Sequence, residues 1–229
     1  MNRYSVIDDK NPREIVLLRS HPCRWGRCFF CDYIADNSID EEEMISVNKK
    51  VLEDVKGSYG RLEVINSASV FELPKETLKD IKEVCKARGI RKIFFEAYYN
   101  YRTRLDEIRD FFDEVSFKCG IESFDDDFRN GYLNKNIYFK DAKEVASYFD
   151  NICLLVGIEG QTREMIDRDM KLLQENFKRG CINIYVENTT PVKRDQSIVD
   201  YFRDQYSYME DMENIEILWN NTDFGVGGE

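Results

Sequence analysis

The chain has 229 residues, of which 42% are hydrophobic and 13% aromatic, enough for one sizeable core in a single domain spanning residues 1–229. Its 33 basic and 44 acidic residues give a net charge of −11, which makes a nucleic-acid ligand unfavourable because such ligands need a positive surface. Apolar runs all fall short of the roughly 20 residues that cross a bilayer, and the N-terminus lacks a signal-peptide core. We therefore expect a soluble cytoplasmic protein with no membrane partner.

Short β-rich runs alternate with helical segments along the chain. Strands are predicted at 14–18, 62–66, 92–97, 114–122, 151–158, 181–187 and 215–219. The first predicted helix ends at Gly57, the second runs from Pro74 to just before Gly89, and the fifth has Thr162 as N-cap and Gly180 as its stop. Six β–α units fit parallel strands, either in an open doubly wound sheet or in a curved partial barrel. In both, chemistry takes place at the C-terminal ends of the strands.

Three of the seven cysteines lie within nine residues, directly after the first predicted strand, and form a C-x4-C-x2-C pattern of Cys23, Cys28 and Cys31. The others are scattered among apolar neighbours, as is typical of core cysteines. Three thiolates on one loop can bind three irons of a cubane cluster, or a zinc ion that takes an outside fourth ligand. The only histidine, His21, is poorly placed to complete a zinc tetrahedron, so iron–sulfur is favoured over zinc and over three ordinary buried thiols.

This pattern resembles that of the radical S-adenosylmethionine superfamily, which usually has C-x3-C-x2-C after the first strand and an aromatic residue before the third cysteine. Phe30 occupies that place, and one extra residue separates Cys23 from Cys28. The resemblance implies an α/β fold, a partial (β/α)6 TIM-like barrel in a single domain, with the cluster loop after the first strand. It also implies a [4Fe-4S] cluster on Cys23, Cys28 and Cys31, S-adenosylmethionine as cofactor, and a one-electron reductant such as flavodoxin or ferredoxin.

The resemblance further implies that residues at the strand ends bind S-adenosylmethionine. The second predicted strand runs into Asn66-Ser67-Ala68-Ser69, which is similar to the Asn-Ser-Gly-Ser form of elongator-like members. Polar or small residues also end the third, fourth and fifth strands. The implied cofactor contacts are Phe30, Tyr33, Asn66, Ser67, Ser69, Glu96, Glu122, Ser123 and Gly157. No residue is assigned as a catalytic acid or base.

Within the superfamily, the compact acidic chain and its cysteine spacing are similar to the queuine lyase branch of queuosine salvage. This implies a carbon–nitrogen lyase in which a 5′-deoxyadenosyl radical abstracts hydrogen from a small substrate, queuine, and 7-aminomethyl-7-deazaguanine is released. The candidate substrate contacts are Tyr98, Tyr99, Glu159, Glu187, Asn188, Asn220 and Asp223. The alternatives are a radical enzyme that acts on tRNA, a zinc-stabilised binding module without turnover, and a small electron carrier.

Overall fold

The structure, a computed structural model, describes residues 1–228, which divide into two compact units. The first unit comprises Met1–Gly26, Tyr33–Phe117 and the C-terminal residues from Thr222. The second comprises Arg27–Asp32 and Lys118–Asn221. The six residues Arg27–Asp32 therefore belong to a different unit from the chain segments on either side of them.

Within residues 1–228, four strands and three α-helices lie wholly in the first unit. The strands are β1 (Tyr4–Ile7), β2 (Arg13–Leu18), β3 (Arg61–Asn66) and β4 (Lys92–Glu96). The helices are α1 (Glu41–Glu53), α2 (Lys75–Arg88) and α3 (Leu105–Arg109). β1 pairs with β2 antiparallel, whereas β2, β3 and β4 are parallel neighbours. Leu18 lies opposite Asn66, so β2 and β3 end at the same level of the sheet.

The second unit repeats the same strand–helix succession. Its strands are β5 (Glu114–Glu122), β6 (Asn151–Val156), β7 (Arg179–Ile184) and β8 (Ile215–Leu218). The residues of β5 from Lys118 onward belong to this unit, and each strand pairs in parallel with the next. The helices are α4 (Ala142–Ala146), α5 (Arg163–Asn176) and α6 (Gln196–Tyr206). A π-helical turn spans Asp127–Tyr132. Every residue of β6 is buried, as expected for a parallel strand that is covered on both faces.

Local signals in the sequence explain where these helices begin and end. α2 starts after Pro74 and stops before Gly89, as predicted. Thr162 caps α5 by accepting the backbone N–H of Met165 at 3.3 Å. The carboxylate of Asp40 caps α1 in the same way, accepting the N–H of Glu43 at 3.0 Å.

The predicted fold class, an α/β partial barrel, is confirmed, because within each unit the parallel strands follow one another in chain order with helices between them. The single domain over residues 1–229 stays a prediction. Among residues 1–228, every helix is too short or too polar to span a membrane.

Two details of the prediction were wrong. The strand predicted as the first is β2, so the cysteine loop follows the second strand of the chain; the short antiparallel β1 had no alternation strong enough to reveal it. Gly180 lies inside β7 and does not end the fifth helix, which stops at Asn176. Leu173 of α5 packs directly on Gly180, where an added Cβ would come within 2.6 Å of its side chain. The glycine is therefore required by helix–strand packing.

Candidate functional site

The cysteine loop occupies the connection between β2 and α1. The side chains of Cys23, Cys28 and Cys31 are half-buried, whereas Cys85, Cys119, Cys153 and Cys181 are buried. The loop thiols are therefore the cysteines with access to an external partner, as a metal ligand requires. Cys23 belongs to the first unit, and Cys28 and Cys31 belong to the second.

In the first unit, Glu72 anchors the segment that carries Cys23. The backbone N–H of His21 donates to the carbonyl of Glu72 at 2.9 Å. The Glu72 carboxylate accepts the hydroxyl of Tyr101 at 2.5 Å, and the guanidinium of Arg24 lies 5.7 Å from the centre of the Tyr101 ring. Burial raises the pKa of the Glu72 carboxyl, and the hydrogen bond from Tyr101 opposes that shift. No local pattern marks Glu72, because a lone glutamate after a strand is usually a solvated loop residue.

Buried polar atoms without partners collect at the C-terminal ends of β2 and β3. Within residues 1–228, Ser20 Oγ, Asn66 Oδ1, Ser69 Oγ and Glu72 Oε2 are all buried without a hydrogen-bond partner. Each such atom costs roughly 1–3 kcal/mol. The amide of Asn66 also donates to the carbonyl of Ser69 at 3.1 Å, which draws these two predicted contacts together. This set of acceptor oxygens fits the donor groups at the amino-acid end of S-adenosylmethionine.

The neighbouring Ser67 is already engaged within the first unit. Its hydroxyl donates to the side-chain oxygen of Asn37 at 2.5 Å. Ser67 therefore helps to order the segment between the cysteine loop and α1, and its hydroxyl proton is committed to that contact.

In the second unit, the segment after the π-helical turn holds the beginning of Arg27–Asp32. The backbone N–H of Phe29 donates to the carbonyl of Leu133 at 3.0 Å. The side-chain amide of Asn134 donates to the carbonyl of Arg27 at 2.7 Å. These two bonds fix the backbone on both sides of Cys28.

The loop after β7 holds the end of the same segment. The side-chain amide of Asn188 donates to the carbonyl of Phe30 at 2.8 Å. Thr189 donates to a carboxylate oxygen of Asp32 through both its backbone N–H and its hydroxyl, each at 3.2 Å. These contacts flank Cys31, so both second-unit thiols are held by distant parts of the chain.

A buried ion pair lies beside Cys28. The ammonium of Lys135 is 2.5 Å from the carboxylate of Glu122, and both side chains are largely buried. Burial alone would lower the pKa of Lys135, but Glu122 and the sulfur of Cys28 outweigh it and raise that pKa above its usual range. Lys135 therefore stays cationic and places a positive charge beside Cys28. No local pattern marks Lys135, because it lies in an irregular segment.

The donor set fits an iron–sulfur cluster on chemical grounds. Among residues 1–228, no group of three or more His, Cys, Asp or Glu side chains is arranged as a site for a metal ion. The loop nevertheless offers three half-buried thiols, and thiolates are the ligands that iron–sulfur clusters take. The Lys135 cation would offset part of the negative charge of such a cluster.

The remaining predicted residues of the first unit differ in their exposure. Tyr33 is 59% exposed at the start of a 3-10 turn, and Asp223 is exposed near the C-terminus. Glu96 ends β4 and is half-buried, as is Tyr98 just after it. Tyr99 is fully buried, so its ring packs in the core.

Two predicted cofactor contacts of the second unit have clear structural roles. The hydroxyl of Ser123 accepts the backbone N–H of Asp125 at 3.1 Å, just before the π-helical turn. Gly157 has a φ of +94° and donates its N–H to the side chain of Gln161 at 2.7 Å. A Cβ on Gly157 would lie 2.4 Å from a methyl group of Val199, so only glycine fits this position.

Three predicted substrate contacts lie on the surface of the second unit: Glu159, Glu187 and Asn220. Glu187 accepts the backbone N–H of Arg194 and pairs with the ammonium of Lys193, each at 3.1 Å. Those two contacts lower the pKa of Glu187. Glu187 therefore orders its own loop, while Glu159 takes part in that loop through its N–H, which donates to the carbonyl of Lys193 at 2.9 Å.

Among solved structures, the chain is similar to a queuine lyase from Clostridium spiroforme bound to SAM and queuine. The two share 46% sequence identity, each chain is covered over 100% of its length, and the TM-score is 0.97. No protein-family model matches the chain, and a search of curated proteins also gives no match.

More distant structures share the fold. A radical SAM methyltransferase from Sphaerobacter thermophilus has 14% identity and a TM-score of 0.60, over 93% of this chain and 67% of the other. SuiB from Streptococcus suis, bound to S-adenosylmethionine, has 14% identity and a TM-score of 0.53, over 89% of this chain and 46% of the other. These two likenesses confirm the barrel-type α/β fold.

Proposed function

Because the chain belongs to the queuine lyase branch of the radical S-adenosylmethionine superfamily, we propose that it cleaves the free base queuine and releases 7-aminomethyl-7-deazaguanine. The observation that carries this proposal is the likeness to a queuine lyase, at 46% identity over the whole length of both chains. The chain is accordingly a radical SAM lyase with a small-molecule substrate. We place it in the cytoplasm, where reducing conditions keep its thiols available.

We propose Cys23, Cys28 and Cys31 as the three protein ligands of a [4Fe-4S] cluster. When bound and reduced by a carrier such as flavodoxin or ferredoxin, the cluster supplies the electron that cleaves S-adenosylmethionine and yields the 5′-deoxyadenosyl radical. The chain positions the three thiols and supplies a positive charge beside them. The ammonium of Lys135 lies beside Cys28, and the Glu122 carboxylate, 2.5 Å from that ammonium, holds it in place.

For S-adenosylmethionine, the proposed contacts of the first unit are Asn66 and Ser69. Both carry a buried oxygen that lacks a hydrogen-bond partner among residues 1–228. Asn66 is the last residue of β3, and Ser69 follows it by three residues. An ammonium group can donate to such oxygens and so remove their desolvation cost. Glu96 and Tyr33 remain proposed contacts in the same unit, and Phe30 and Glu122 remain so in the second.

For queuine, each unit has solvent-accessible side chains that are candidate substrate contacts. Tyr98 retains part of its ring surface in the first unit, and an aromatic face suits a flat base. In the second unit, Glu159 and Asn220 are exposed and carry a carboxylate and an amide, which suit the donors of a deazaguanine ring. Tyr98, Glu159 and Asn220 are therefore the proposed substrate contacts.

The decisive experiment is anaerobic. The cluster is reconstituted and reduced with dithionite, S-adenosylmethionine is added with and without queuine, and the products are analysed by mass spectrometry. We expect 5′-deoxyadenosine formation that rises with queuine, together with 7-aminomethyl-7-deazaguanine. Cleavage that queuine does not change would overturn the substrate, and a colourless zinc protein without iron would overturn the cluster.

Cysteine variants provide the matched control. We expect Cys28→Ser to abolish cleavage of S-adenosylmethionine, because it removes a proposed cluster ligand. Cys85→Ser should leave cleavage intact, since Cys85 is buried in α2 and burial raises the pKa of its thiol to about 12. Equal losses in the two variants would contradict the ligand assignment.

A second pair of variants tests the cofactor contact. We expect Ser69→Ala to weaken S-adenosylmethionine binding about five-fold, which corresponds to a hydrogen bond of roughly 1 kcal/mol. Ser147→Ala is the control, because the Ser147 hydroxyl donates to the helix carbonyl of Glu144 at 2.7 Å and serves only α4. Unchanged binding in Ser69→Ala would remove Ser69 from the site.

A further inference from the structure

We infer that Asn188 is a positioning residue for the part of the cysteine loop that carries Cys28 and Cys31. The inference rests on the proposed function, because only in that function are these two thiols cluster ligands. It concerns contacts within the second unit, where Asn188 follows β7 and donates to the carbonyl of Phe30 at 2.8 Å. Asn188 acts through the loop backbone and not on the substrate.

The side chain of Asn188 is itself fixed in one orientation. Its Oδ1 atom accepts the backbone N–H of Thr190 at 3.0 Å and the Thr190 hydroxyl at 2.7 Å. Turning the amide over would place its N–H groups against those two donors. The oxygen therefore faces Thr190, and the nitrogen is left to donate toward Phe30. Thr190 thus pre-organises the donor that holds the cysteine loop.

The Asn188 donor acts on the same stretch of backbone as a long hydrogen bond inside the loop. Within the loop, the N–H of Cys31 reaches the carbonyl of Cys28 at only 3.4 Å, close to the limit for a hydrogen bond. The peptide group that joins Phe30 to Cys31 is the one whose oxygen accepts from Asn188. Holding this peptide plane sets the direction of the Cys31 side chain. The spacing between the Cys28 and Cys31 thiols is therefore set from outside the loop.

Packing supports the same geometry. The ring of Phe30 packs against a buried cluster that includes Leu133, Ile158 and Tyr185. A hydrogen bond at the Phe30 carbonyl and partial burial of its ring together hold both sides of this residue. We therefore expect the Cys28–Cys31 segment to be ordered before any metal binds.

Thiol reactivity in the metal-free protein tests this directly. Asn188→Asp keeps the size of the side chain but places an acceptor against the Phe30 carbonyl, so the segment should open more often. Alkylation with iodoacetamide, followed by peptide mass spectrometry, should show Cys28 and Cys31 reacting about five-fold faster, as loss of one hydrogen bond predicts. Cys23, in the first unit, is the internal control and should react at its original rate.

Asn176→Asp is the matched control variant. The amide of Asn176 donates to a helix carbonyl, that of Leu172, at 2.9 Å, at the end of α5 and away from the cysteine loop. This variant should leave all three alkylation rates unchanged. The inference is overturned if Asn188→Asp leaves Cys28 and Cys31 unchanged, or if it raises the rate of Cys23 by the same factor.

A readout on the reconstituted cluster separates this inference from the proposed function. Iron release to a colorimetric chelator should be about five-fold faster in Asn188→Asp than in Asn176→Asp, again the equivalent of one hydrogen bond. If the unmodified protein takes up no iron, the cluster proposal fails. The alkylation pattern still decides whether Asn188 positions the thiols.

Discussion

Replacing Asp169 by asparagine tests how burial controls the charge of a carboxyl group in the second unit. Asp169 lies on α5 and is 1% exposed. One carboxylate oxygen accepts the backbone N–H of Phe124 at 2.9 Å, and the other is buried without a hydrogen-bond partner among residues 1–228. Arg168 is 4.0 Å away, too far for a close ion pair. The charged form is therefore poorly compensated.

Burial raises the pKa of Asp169 from 3.8 to about 6, against the opposing effects of its hydrogen bonds with the Ser123 side chain and the Phe124 backbone and of the Arg168 charge. Between these two values the unfolded chain releases the proton while the folded chain keeps it. Stability therefore falls as pH rises through this window, by about 1.4 kcal/mol per pH unit and about 3 kcal/mol in total. Below the window both states are protonated, and the stabilising effect of the buried neutral acid is fully present.

We expect the stability of Asp169→Asn, relative to the original chain, to rise by about 3 kcal/mol between pH 3.5 and pH 7. The asparagine oxygen can still accept from Phe124, and the side chain no longer loses a proton. Urea denaturation of the metal-free protein at several pH values measures this. Asp204→Asn, at an exposed position on α6, is the control and should show no such rise. A difference that stays constant with pH, or shrinks, would refute the reasoning.

Three further substitutions test packing, charge and capping. Gly157→Ala should lower the free energy of unfolding by about 2–3 kcal/mol, because the new Cβ would lie 2.4 Å from Val199 at a φ of +94°. Thermal unfolding measures this loss, and if adding Val199→Ala recovered none of it, the packing explanation would be contradicted. Lys135→Met should lower the free energy of unfolding by about 3–5 kcal/mol in chemical denaturation, because it leaves the Glu122 carboxylate buried without its partner, and adding Glu122→Gln should recover much of that loss. If the losses of the two substitutions simply added, the two side chains would not be a coupled pair. Thr162→Ala should lower the free energy of unfolding by about 1 kcal/mol in the same assay, whereas Thr162→Ser should change it little, since serine keeps the capping oxygen. Equal losses in the two variants would exclude capping as the cause.

Local patterns were sufficient for most of the fold. The strand predicted at 114–122 matches the bounds of β5, and Thr162 and Gly89 mark helix ends where the sequence indicated them. These features depend on near neighbours in the chain. β1 was missed because it is four residues long and only half-buried, so it has no core-facing alternation. Gly180 was misassigned because its reason lies in contact with Leu173, which no local pattern reveals.

The candidate site divides in the same way. The spacing of Cys23, Cys28 and Cys31 is a local signal and was enough to predict a cluster loop. Lys135 and Glu72 carried no such signal, since their roles depend on burial and on partners that the fold brings to them. For Tyr99, an aromatic run after β4 predicted a stacking residue, and the full burial of its ring is a feature that this local pattern did not reveal.

The contact between Asn188 and Phe30 also has a consequence for biosynthesis. The two residues are 158 positions apart, so the bond cannot form until the ribosome has made most of the chain. At roughly 5–20 residues per second, the Cys28–Cys31 segment waits about 8–30 seconds for its partner. During that interval the nascent thiols lack their final support and are open to oxidation. We therefore expect cluster insertion to follow completion of the chain, and newly made protein to be the form most sensitive to oxygen.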